Sequence, residues 1–143
     1  SLIRFMKSHG IPLDGLMSGN TRVLIVDGDD EVGDQLQQIL QDQTQYEVRV
    51  SSSLFQAGIE CERFRPHVLL LDIHLGDGEA SAVPVVIKDS DELQITKVVA
   101  MSSKLTDGQV AQLGHQGYDG ALKKPFSVRQ VIDSIEGAHA VVY

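Results

Sequence analysis

The sequence predicts an α/β protein built on a doubly wound, five-stranded parallel sheet with helices on both faces. Two observations lead there. Val23–Leu24–Ile25–Val26, Val68–Leu69–Leu70–Leu71 and Val98–Val99–Ala100–Met101 are unbroken aliphatic runs, the mark of strands buried on both faces; a sheet with one wet face alternates instead. Between these runs apolar residues recur at helical spacing, and no strong hairpin signal joins consecutive strands. Parallel strands connected through helices need both sheet faces covered, by right-handed crossovers.

The elements follow in order. Ser1–His9 reads as a short helix with Leu2, Ile3, Phe5 and Met6 apolar and Gly10 in the favoured stop position. Asp14–Asn20 is loop-like, so residues 1–20 are expected to form an N-terminal helix and linker, and residues 21–143 the main domain. Val23–Val26 is the first strand, and Val32, Leu36, Ile39 and Leu40 line the helix after it. Tyr46–Val50 alternates like a half-covered strand, Ser53 with Gln56 has capping-box spacing, and Pro66 ends the helix that follows. Val68–Leu71 precedes Ala80–Lys88, read as helical despite Pro84 and its valines. Val98–Met101 and Gly120–Leu122 are the remaining strands, and Thr106/Gln109 and Ser127/Gln130 repeat the capping-box spacing before the last helices.

The chain has 143 residues, the length of one ordinary domain, and 42% are apolar, enough for one packed core. That excludes a disordered tail, a collagen-like repeat and a disulfide-stapled miniprotein. Cys61 has no second cysteine to pair with, which fits a reducing cytoplasm. It falls on the apolar side of its helix and reads as a core thiol. No apolar run approaches the ~20 residues of a membrane span, so no membrane association is expected. Twelve basic and 20 acidic residues give a net charge of −8, which argues against direct nucleic-acid binding by this segment.

Polar residues stand where each buried run gives out: Asp27, Asp72, Ser102, and Lys123–Lys124–Pro125 after the last strand. The carboxyl ends of parallel strands form the ligand-binding edge of such a sheet. Two carboxylates, a hydroxyl and an ammonium therefore converge, with Asp29 and Asp30 on the next loop. Clustered carboxylate oxygens suit Mg²⁺, which keeps several waters; a carboxylate can accept a phosphoryl group, and Lys and Ser can orient phosphoryl oxygens. Taken singly, each residue has a plainer role as a helix cap, a turn hydroxyl or a solvated charge. Their joint placement at successive strand ends is what singles them out. His74, His115 and His139 read as surface or loop residues, since no two histidines have metal-ligand spacing.

Val23–Asp27, Val68–Ile73, Val98–Lys104 and Leu122–Phe126 resemble, in order and spacing, the signature blocks of bacterial response regulator receiver domains, a family with a flavodoxin-like fold; the likeness runs from about Thr21 to Ala140. The resemblance implies a two-component signalling protein in which Asp72 is the phosphoacceptor, Ser102 the switch hydroxyl and Lys124 the phosphate partner. It implies an Mg²⁺ site formed by Asp27, Asp72 and the main-chain carbonyl of His74, with Asp29 as a further candidate ligand. It also implies a cis Lys124–Pro125 bond, and a histidine kinase or phosphotransfer protein as partner. It implies no enzymatic turnover beyond self-phosphorylation from a donor and autodephosphorylation.

The chain departs from the family pattern at several positions. Gly28 stands where a second acid usually ligates the metal, so Mg²⁺ binding is expected to be weakened. Ala121 replaces the switch aromatic, and Gly76 and Ala80 replace a common Pro and Gly. Two other readings stay open: a receiver-like docking module that takes no phosphate, and a haloacid dehalogenase-type phosphatase in which Asp27–Gly28–Asp29 is the nucleophile motif. Phe5–Pro12 weakly resembles the tail of an excisionase-type helix-turn-helix domain, so an upstream DNA-binding output domain is a further expectation.

Overall fold

The structure is a computed structural model that describes residues 20–75 and 80–140; the expected N-terminal helix and linker, and Gly76, lie outside them. In chain order the elements are β1 (Arg22–Val26), α1 (Asp30–Gln43), β2 (Glu47–Ser51), α2 (Leu54–Phe64) and β3 (Val68–Asp72). A 3-10 turn (Ala80–Ala82) leads into α3 (Val83–Asp89), followed by β4 (Lys97–Ser102), α4 (Asp107–His115), β5 (Gly120–Lys123) and α5 (Val128–Ala140). The strands pair in parallel in the order β2-β1-β3-β4-β5, so the expected doubly wound sheet is present.

Side chains alternate across each strand and divide the core into two layers. Leu24, Val26, Leu69, Leu71, Val98 and Ala100 pack with Ala57, Cys61 and Phe64 of α2, Ile87 of α3 and Leu113 of α4. Val23, Ile25, Val68, Leu70, Val99 and Met101 pack with Leu36 and Leu40 of α1 and Val131 and Ile135 of α5. β1, β3 and β4 are covered on both sides, which is why their sequences are continuous apolar runs.

Local chemistry sets the boundaries. Asp29 caps α1, accepting hydrogen bonds from the Glu31 and Val32 N–H groups. Thr106/Gln109 and Ser127/Gln130 form the reciprocal bonds expected of them. Ser53 accepts the Gln56 N–H, but the Gln56 side chain turns to Ser52, so that capping box is half made. α2 ends with Arg65 in the left-handed region, φ 52°, just before Pro66. The segment expected to be one helix from Ala80 to Lys88 starts as a 3-10 turn. Pro84 lies in the first turn of α3, where its missing N–H has no helical partner to lose. The buried stripe of α1 runs Gly33–Leu36–Leu40, leaving Val32 and Ile39 half-buried.

Candidate functional site

β1 and β3 are adjacent at the centre of the sheet, so their carboxyl ends carry Asp27 and Asp72 side by side. The two carboxylates differ in environment. Asp27 is 1% exposed: its Oδ1 accepts the Asp29 N–H at 2.9 Å and its Oδ2 accepts from Lys124 Nζ at 2.6 Å. The Asp72 side chain is 16% exposed. Its Oδ1 accepts the His74 N–H at 3.0 Å, and its Oδ2 lies 3.9 Å from Lys124 Nζ. One ammonium thus serves two carboxylates, neutralising the sunken one at contact distance and facing the open one.

Lys124 is held there by the strand before it. Its N–H donates to the Ser102 carbonyl at 2.8 Å, and the Lys124–Pro125 bond is cis. Ser102, at the end of β4, is 1% exposed. Its Oγ accepts the Lys104 N–H at 3.0 Å and shares a 2.7 Å hydrogen bond with His74 Nε2. Asp27, Asp72, Lys124 and Ser102 therefore all lie on the carboxyl edge.

Two residues make contacts beyond their sequence reading. The Asp29 carboxylate is committed to the N-terminus of α1 through its Oδ1, where the partial positive charge of the helix favours it. His74, taken as a surface or loop residue with only its carbonyl of interest, is exposed, yet its ring reaches the Ser102 hydroxyl. Residue spacing carries no sign of this. The β3–β4 register, which pairs Asp72 with Met101, is what brings residue 74 alongside residue 102.

Among the described residues no three His, Cys, Asp or Glu side chains converge into a metal cage. The edge does offer two carboxylates anchored by main-chain N–H groups, and that fits in kind a small hard cation that keeps most of its waters. The position after Asp27 contributes no donor. A Cβ at Gly28 would meet Leu75 Cδ1 at 2.9 Å, so the space beside a second acid is filled by a leucine methyl. At Ala121 the side chain ends at Cβ, half-buried against the α2–α3–α4 layer. A shallow groove of about 510 Å³ between β5 and α5, lined by Ala121, Lys123, Phe126 and Ser134 among others, includes none of the carboxylates above.

A parallel sheet of this strand order, with an acidic pair, a hydroxyl and a lysine at its carboxyl edge, defines a receiver-type domain. Residues 23–136 match the response regulator receiver domain family, and the chain belongs to it. It is 28% identical over 114 residues to the polar-differentiation response regulator DivK of Brucella anthropi, covering 80% of this chain and 92% of that protein. The DivK protein of Brucella ovis is 25% identical over 116 residues, covering 81% and 94%. Among solved structures, the signal receiver domain of a DNA-binding response regulator (merR) from Colwellia psychrerythraea superposes with a TM-score of 0.75 at 24% identity, covering 82% of this chain and 97% of that one. The chemotaxis response regulator CheY4 of Vibrio cholerae gives 0.75 at 18% identity, covering 82% and 98%. No helix among the described residues is long and apolar enough to cross a membrane.

Proposed function

We propose that this receiver domain takes a phosphoryl group on Asp72 from a histidine kinase or phosphotransfer protein and passes the change to an output partner. The observation that carries the reading is the unequal pair of carboxylates: Asp27 is buried and ion-paired with Lys124, while the Asp72 side chain is 16% exposed with its Oδ2 3.9 Å from the same ammonium. In the transfer, Asp72 Oδ2 attacks phosphorus. The phosphorus–nitrogen bond to the donor imidazole breaks, its electron pair stays with the ring nitrogen, and Asp72 becomes an acyl phosphate. Lys124 remains protonated and faces the new phosphoryl oxygens, and the Ser102 hydroxyl is their neutral donor. Asp27, Asp72 and the His74 carbonyl would hold Mg²⁺, which when bound offsets phosphoryl charge.

Incubation with acetyl phosphate and Mg²⁺ is expected to add the mass of one phosphoryl group, labile in base, and Asp72→Asn is expected to abolish it. No adduct at high donor concentration would favour the second reading, a docking module that takes no phosphate. Gly28 under the Leu75 methyl and the truncated side chain at Ala121 support that alternative. Either role belongs to a cytoplasmic signalling protein. An upstream DNA-binding domain, suggested by Phe5–Pro12, would make the output transcriptional; the similar Colwellia receiver is described as part of a DNA-binding response regulator.

A further inference from the structure

His74 contacts both groups that the proposed transfer brings into play. Its main-chain N–H donates to Asp72 Oδ1, and its Nε2 shares a 2.7 Å hydrogen bond with Ser102 Oγ. Ser102 is 1% exposed, so its hydroxyl is shielded from bulk water and its bonds are set by protein partners. A hydroxyl has one hydrogen to give and two lone pairs to offer. The Lys104 N–H occupies one lone pair, and the short bond to His74 engages the oxygen a second time. When His74 Nε2 is the acceptor, the hydroxyl's one hydrogen goes to the ring, and a phosphoryl group on Asp72 that recruits this hydroxyl competes with His74 for it.

We infer that the His74 imidazole is a positioning residue that holds the Ser102 hydroxyl in the unphosphorylated protein and thereby slows phosphoryl transfer to Asp72. This rests on the reading of Asp72 as phosphoacceptor. The competent arrangement, with the hydroxyl free to meet a phosphoryl oxygen, is then a minor fraction of the population, and the transfer rate is reduced by that fraction.

The test is the rate of adduct formation from acetyl phosphate and Mg²⁺, followed by intact mass in the wild type and its variants. His74→Ala and His74→Phe, the second keeping a ring without its nitrogens, are expected to react about fivefold faster, the worth of one neutral hydrogen bond. His74→Gln, with a polar group at similar reach, is expected to return toward the wild-type rate. In a Ser102→Ala background, His74→Ala is expected to change nothing, because residue 74 acts through the hydroxyl. Equal rates for wild type and His74→Phe, or the same acceleration with and without Ser102, would overturn the inference alone. A wild-type chain that acquires no phosphoryl group would instead overturn the reading of Asp72, and this inference with it.

Discussion

Gly28→Asp separates the metal question from the phosphoacceptor question. The backbone at Gly28 is not in the left-handed region, so an aspartate there meets one obstacle: its Cβ would stand 2.9 Å from Leu75 Cδ1. That atom is the free end of a rotatable side chain at the rim of the core, so relief costs about 1 kcal/mol, the low end for overpacking. Without metal, a third carboxylate beside Asp27 and Asp72 adds repulsion that Lys124 alone offsets, and the variant is expected to lose about 1–2 kcal/mol of stability in total. With metal the sign reverses. One more charged oxygen on the cation is worth about 1.5–3 kcal/mol, so Mg²⁺ is expected to bind about 10- to 100-fold more tightly. The chain has no Trp, which makes titration calorimetry the suitable assay, with thermal unfolding at several Mg²⁺ concentrations as a second readout. Leu75→Ala added to Gly28→Asp removes the steric part and is expected to leave the tightening intact. A Gly28→Asp protein that folds normally and binds Mg²⁺ no better than wild type would refute the account of the missing acid.

The other predictions concern charge and burial. Lys124→Met strands the buried Asp27 carboxylate and is expected to cost about 3 kcal/mol in urea unfolding, whereas Asp27→Asn leaves a lysine that can reach water and is expected to cost about 1 kcal/mol. Burial, with Glu62 and Glu60 nearby, pushes the Cys61 thiol up to about 11, and burial pushes the Tyr118 hydroxyl up to about 12. Both groups ionise more readily unfolded, so their contribution is complete below about pH 8.5 and is lost as pH rises through 11 and 12. The decline is worth up to about 3 kcal/mol for the thiol; Cys61→Ala is expected to remove its first part, and native Cys61 to resist iodoacetamide at neutral pH. Tyr118 donates to the Ala80 carbonyl at 2.8 Å, so Tyr118→Phe removes that buried hydrogen bond and is expected to lower the unfolding free energy by about 1 kcal/mol.

The sheet was legible in the sequence because burial on both faces leaves no freedom in residue type: Val23–Val26, Val68–Leu71 and Val98–Met101 had to be continuous apolar runs. The strand ends were legible for the same reason, since a polar residue after such a run must sit at the sheet edge. Less visible were features set by close approach. Gly33 faces the core because a Cβ there would lie 2.7 Å from Val50 Cγ1, and no hydrophobic pattern marks a glycine as buried. Asp29, a candidate ligand in the sequence, also caps α1 through its Oδ1, a role set by where the helix starts. The contact between His74 and Ser102 depends on how β3 and β4 register, information that belongs to the assembled sheet. Pro84, an obstacle to a helix beginning at Ala80, is a normal first-turn residue once α3 begins at Val83.

The central claim is that Asp72, and no other carboxylate, carries the phosphoryl group. An acyl phosphate is reduced by borohydride to the alcohol, which converts a phosphorylated aspartate to homoserine while free carboxylates survive. After acetyl phosphate and Mg²⁺ treatment, reduction and peptide mass mapping are expected to place homoserine at position 72, in the peptide that follows Val68–Leu71, with Asp27, Asp29 and Asp30 unchanged. Homoserine at position 27, or none anywhere under conditions that saturate the donor, would contradict the assignment.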